Sequence, residues 1–163
     1  MTLVEAPVVG KDCKLYYNSG THATPTWNEI TKAINVSANL GKGEADVSSR
    51  ETSWKLSKGA LKELEISFTY RHKAGTDTVF DVLLAAYLAD TAIEFAVMDA
   101  AITEAGAQGP RAFCEIFSMN ETQELENAVE YEFTLKPTYA AESGEMVEPD
   151  WYEVAGASSS SSA

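Results

Sequence analysis

The residues best placed to do chemistry are the carboxylates of the second half. Glu121, Glu124, Glu126, Glu130 and Glu132 fall within twelve residues, and paired carboxylates can act as general acid and base. Strand alternation accounts for Glu130 and Glu132 more simply. Interleaved with Val129, Tyr131, Phe133 and Leu135, they form the wet face of a strand whose other face is core. His22 and His72 lie in turn-like segments with no second ligand at metal spacing. Cys13 and Cys114 each sit in an alternating pattern and read as small buried hydrophobes. A disulfide between them requires neighbouring strands and an oxidising compartment. Gly41-Lys42-Gly43 lacks the residues that complete a phosphate-binding loop, and no Gly-x-Ser-x-Gly elbow is present. The sequence therefore predicts no catalytic group, no metal site and no cofactor.

The elements that would carry any site are mostly strands. Leu64, Ile66, Phe68 and Tyr70 alternate with Glu65, Ser67 and Thr69, the period of a half-buried strand. A helix is predicted over 78–89, with Thr78 as N-cap, Asp81 three residues on, and a broad apolar face of Val79, Phe80, Val82, Leu83, Ala86 and Tyr87 with the adjoining Leu84 and Leu88. Ile93, Phe95 and Val97 resume the alternation. Further strands are predicted around Cys13 to Tyr17, Thr26 to Ile30, Ile34 to Leu40, Arg111 to Met119 and Val129 to Leu135. Gly41 to Ala60, rich in glycine and serine, reads as a long loop, although Thr52, Trp54 and Leu56 permit a hairpin. Ala100 to Pro110 reads as a second loop. The fold class predicted is an antiparallel β-sandwich or barrel with one flanking helix, and Phe68, Leu83, Phe95, Phe117 and Phe133 are its predicted core.

Composition narrows the function classes. The 163 residues are enough for one domain. Residues 1–10 read as an arm, 11–139 as the β domain, and 140–163 as an acidic extension ending in a disordered tail from Ser158 to Ser162. No apolar run approaches the ~20 residues of a membrane helix. The first ten residues lack the pattern of a signal peptide, so synthesis in the cytoplasm is the expectation. The net charge of −13 is unevenly spread. Up to Lys73 there are ten basic and eight acidic residues; from Ala74 there are two, Arg111 and Lys136, against seventeen. The two halves can offer unlike surfaces to different neighbours, or the acidic half can simply be solvated. Such a charge disfavours binding to nucleic-acid phosphates.

The run Leu64 to Tyr70 (LEISFTY), the helix from Thr78 to Ala89, the strand from Ile93 to Met98 and the closing stretch Phe117 to Lys136 (FSMNETQELENAVEYEFTLK) together resemble the major tail, or tail tube, proteins of long-tailed phages. The likeness covers roughly residues 10–139 and is one of element order and local style. It implies a structural, non-enzymatic subunit of the virion tail, made in the host cytoplasm. It also implies hexameric rings stacked into a hollow tube through which DNA passes without specific binding. Tape measure, tail terminator and baseplate or tip proteins are the implied partners. Residues from Ala140 on have no counterpart in the minimal pattern.

Two sets of residues follow for such an assembly. Arg50, Trp54, Lys55, Leu56 and Lys58 would order the 41–60 loop against a neighbouring ring. Glu63, Glu65, Glu130 and Glu132 would line the channel. The competing reading is a stand-alone β-sandwich binding module using Trp27, Trp54 or Trp151 as an aromatic platform. A hydrolase with a dispersed site is a third. Self-association separates the first from the second.

Overall fold

A computed structural model describes residues 7–72 and 75–155; most of the N-terminal arm and the serine tail lie outside them. In chain order the strands are β1 (Lys14–Asn18), β2 (Trp27–Glu29), β3 (Ala33–Asp46) and β4 (Ser57–Arg71), then helix α1 (Thr78–Ala89), β5 (Ile93–Met98), β6 (Gln108–Thr122) and β7 (Glu130–Pro137). Two short strands, β8 (Ala141–Glu142) and β9 (Glu145–Met146), form a separate hairpin, and β10 (Asp150–Glu153) follows. The main sheet runs β2-β1-β5-β6-β7-β4-β3, every pairing is antiparallel, and β10 joins it on the first residues of β6.

This sheet cannot be flat. β2 and β3 stand at opposite ends of a seven-strand path, which in a flat sheet would hold them about 29 Å apart at ~4.8 Å per strand. Only Ile30, Thr31 and Lys32 connect them, and such a link spans at most about 14 Å. The sheet therefore curls into an open barrel. Leu15 and Tyr17 of β1 accordingly share one core with Ile66, Phe68 and Tyr70 of β4, together with Phe95, Cys114, Phe133 and Leu135. Phe68 stacks on Phe133 with centroids 5.1 Å apart. Helix α1 closes the core with a narrow stripe, Phe80, Leu83 and Ala86, at helical spacing.

Several expectations change in the structure. The helix bounds are as predicted, but the N-cap is Asp77, whose carboxylate accepts from the Phe80 amide at 3.2 Å. The same oxygen accepts from the Tyr70 hydroxyl at 2.7 Å, which ties the helix start to β4. The 41–60 segment is less of a loop than predicted. β3 and β4 continue as a long hairpin arm to Asp46 and from Ser57, leaving only residues 47–56 as its tip. Backbone pairing needs no apolar side chains, so glycine and serine did not mark these strands. β6 likewise begins at Gln108, inside the second predicted loop.

Gly109 lies so close to β5 that a Cβ there would sit 1.7 Å from the Val97 carbonyl oxygen. Cys13 precedes β1 and is exposed, whereas Cys114 is buried, and both thiols are free. β1, which Cys13 precedes, and β6, which holds Cys114, are separated by β5. Burial pushes the Cys114 thiol up to about 12. Phe117, a predicted core residue, is 57% exposed. The register between β6 and β7 shifts between Ile116 and Ser118, a bulge that turns Phe117 out of the alternation.

Phe133→Ala should therefore cost about 3–5 kcal/mol in urea unfolding, whereas Phe117→Ala should stay within about 0.5 kcal/mol of the parent, as an exposed position does.

Candidate functional site

The side of the sheet away from the core divides into a covered half and a bare half. Over β1 and β5, the non-core positions Tyr16, Ala96 and Met98 are buried with Ala107, under Trp27, Ile102, Tyr152 and Val154. Within this cover lies Glu94, 1% exposed. Its Oε1 accepts from Asn18 Nδ2 at 2.8 Å and from Arg111 Nη2 at 2.9 Å, and His22 Nδ1 lies 2.6 Å from its Oε2. Arg111 also donates to the His22 carbonyl at 2.7 Å. Its guanidinium lies 5.1 Å from the Trp27 ring centroid and 5.0 Å from that of Tyr152. Burial alone would push the Glu94 carboxyl up, but hydrogen bonds from Arg111, His22 and Asn18 outweigh it and hold it below its ordinary value.

Alternation along the sequence treats Glu94 as a wet residue between Ile93 and Phe95, which fails because this strand is covered on both sides. A usable signal was Arg111, one of two cations after residue 74. The cluster binds β1, the 19–26 loop, β5 and β6 into one unit, with the aromatic rings of β2 and β10 over it. Its chemistry is that of a buried ion pair held through Arg111 Nη2, while Arg111 Nε and the Trp27 indole nitrogen find no hydrogen-bond partner among the described residues. Among the described residues, no group of three or more histidine, cysteine or carboxylate side chains could hold a metal ion.

The bare half belongs to β3, β4, β7 and the end of β6. Leu64, Ile66, Phe68 and Tyr70 point to the core, so Glu63, Glu65, Ser67 and Thr69 face the other way. The β7 alternation does the same for Glu130, Glu132, Thr134 and Lys136. Register places Glu132 opposite Thr69 on one side and Asn120 on the other, Glu130 opposite Arg71 and Thr122, and Glu65 opposite Asn39. All four carboxylates singled out in the sequence thus share one polar sheet face. Its cations are engaged there, with Arg71 Nε 3.2 Å from Glu130 and Lys136 Nζ 3.9 Å from Glu65.

The other predicted set lies on the hairpin arm. Arg50, Trp54, Lys55, Leu56 and Lys58 are all exposed, Trp54 by 76%. The tip is tied by its own bonds: the Val47 amide donates to the Leu56 carbonyl at 3.0 Å, and the Leu56 amide to Ser48 Oγ at 2.8 Å. Trp27, Trp54 and Trp151 do not make a common platform. Trp27 packs against Arg111 and Tyr152, Trp54 stands on the arm, and Trp151 donates its indole N–H to Gln108 at 3.0 Å.

No family model and no curated protein matches this chain. Solved structures do. A chain of the SPP1 tail tube superposes with a TM-score of 0.70 at 19% identity, over 91% of this chain and 81% of that one. This is the tail tube fold. A chain from the tail of an empty gene transfer agent particle, refined with C6 symmetry, matches at 0.64 and 15% identity, over 86% and 97%. The sheath/tube terminator of an extracellular contractile injection system matches at 0.57 and 10% identity, over 83% and 96%. The fold implied by the sequence resemblance is the one observed. β10 pairs with β6, so the stretch beyond Ala140 contributes a strand to the tail tube sheet of this chain.

Removing one partner of the buried pair, as in Glu94→Ala, should cost about 3–5 kcal/mol in urea unfolding. Because the folded carboxyl is held low, its contribution is present above the unfolded value of about 4.3 and is lost as pH falls through the folded value. The stability gap between parent and Glu94→Gln should therefore narrow as urea midpoints are followed downward from pH 5.

Proposed function

We propose that this chain is a structural tail tube subunit, which assembles into stacked hexameric rings around a channel for DNA. The observation that carries the reading is the match to the SPP1 tail tube over 91% of this chain. The C6 symmetry of the similar gene transfer agent tail supports six subunits per ring. The likeness to a tube terminator supports end-capping partners, with tape measure and baseplate proteins as the remaining ones. The virion tail is then its location, and its role requires no catalysis.

Three features of the subunit suit that task. β3 runs for fourteen residues along the end of the sheet, and its outer edge meets no other strand of the described sheet. A long free edge is a template for pairing with another chain, so it suits lateral contact within a ring. Unlike surfaces on one subunit, a basic arm tip and acidic regions elsewhere, favour a head-to-tail contact, which closes into rings or continues as a stack. The carboxylate face of β4 and β7 suits a channel lining. Glu63, Glu65, Glu130 and Glu132 would repel phosphate and leave DNA no binding site.

In this reading the arm tip becomes ordered between stacked rings, with Trp54 and Leu56 supplying apolar area and Arg50, Lys55 and Lys58 meeting acidic groups. Trp54→Ala combined with Arg50→Glu should leave the far-ultraviolet circular dichroism unchanged and abolish tubes in sedimentation and electron micrographs. Hydrogen exchange over residues 47–56 should slow on assembly. Tubes of normal length from the double variant, or equal exchange in both states, would contradict the role given to the arm.

A further inference from the structure

The second half of helix α1 leaves apolar side chains uncovered. Leu88 is 71% exposed and Tyr87 also faces solvent, and beside them stands Phe117, turned out by the β6 bulge. With Asp90, Glu115 and Ile116 these residues surround a shallow depression of about 390 Å³. Large exposed apolar side chains gathered in one patch mark an interaction surface.

The rim indicates the charge of the occupant. Asp90 caps the helix C-terminus in the left-handed conformation, with φ of 52°, and the last turn holds no basic residue. The end of a helix already carries partial negative charge, so a carboxylate there is unfavourable unless a cation approaches. Glu115 adds a second carboxylate to the same rim. A segment that fits must bring large apolar groups and positive charge together.

The arm tip has this composition. Val47, Trp54 and Leu56 are exposed, Arg50 and Lys55 stand around them against one carboxylate, Glu51, and Lys58 follows in β4. We infer that the β3–β4 arm tip of one copy docks on the Tyr87–Leu88–Phe117 patch of a second copy. This rests on the tube reading and supplies the receiving surface that reading leaves open. Trp54 is the anchor, as buried tryptophans are in many interfaces. Lys55 and Arg50 meet Asp90, Glu115 and the helix end. Because donor and acceptor surfaces differ, a docked pair still has one free tip on one copy and one free patch on the other, and the contact propagates instead of stopping at a dimer.

Cysteines beside the two surfaces test this without removing the anchors. In the full chain with Cys13→Ser, the pair Ser53→Cys and Thr91→Cys is oxidised mildly after assembly, and a second sample carries Leu88→Glu alone. The expected result is a ladder of disulfide-linked multimers on a non-reducing gel. With it, Leu88→Glu should raise the concentration needed for tubes by at least about tenfold. Tubes that form without a ladder, or a Leu88→Glu chain that assembles at the parental concentration, would overturn the docking and leave the tube reading intact. Absence of any assembly by the parent chain would overturn both. Should Leu88→Glu fail to fold, the ladder alone decides.

Discussion

Ile30, Thr31 and Lys32 tether the two ends of the sheet, and most of the architecture follows from that tether. A seven-strand path whose first and last strands are three residues apart must curl. Once curled, its inner side encloses Leu15, Phe68, Phe95 and Phe133 in one core, and α1 needs to supply only Phe80, Leu83 and Ala86 to close it. The helix is then held at its start by Asp77, which accepts from both the Phe80 amide and the Tyr70 hydroxyl. The opposite side of the sheet is consolidated around Glu94 and Arg111, where a buried ion pair and two aromatic rings fasten the C-terminal strand and the 19–26 loop to β5 and β6. What remains of that side is left bare, and it is polar.

Much of this was legible in the sequence because apolar alternation records burial directly. The α1 bounds and the inward faces of β4, β5 and β7 come from that signal alone. The failures share a cause: each depends on something alternation does not encode. Phe117 sits at a bulge, which changes parity by one residue without changing composition. Glu94 lies on a strand covered on both sides, and the cover comes from residues distant in sequence. The arm of β3 and β4 is held by backbone pairing, for which Gly41, Gly43 and Ser57 leave no apolar trace. Asp77 rather than Thr78 caps the helix because Tyr70 and the helix amides converge on one carboxylate, a tertiary fact. The carboxylates of the bare face were readable individually, while their gathering on one surface depends on the β4–β7 register.

In the proposed reading, the division of surfaces would give the subunit its assembly logic. Exposed apolar groups stand at the arm tip and on α1 with the neighbouring bulge, as well as singly elsewhere, and the free edge of β3 adds unpaired backbone groups. These are features that a monomer would ordinarily cover or charge, since exposed apolar patches and long edges invite association. The carboxylate face, by contrast, resists association with itself and with phosphate. A subunit that associates through its rims and arm while keeping one face wet and acidic is suited to enclosing a channel.

The most direct test is a helical reconstruction from electron micrographs of the concentrated protein. The account predicts a hollow tube of stacked six-subunit rings in which Glu63, Glu65, Glu130 and Glu132 point into the channel. Particles that stay monomeric at every concentration, or a tube with all four carboxylates on its outer wall, would contradict it.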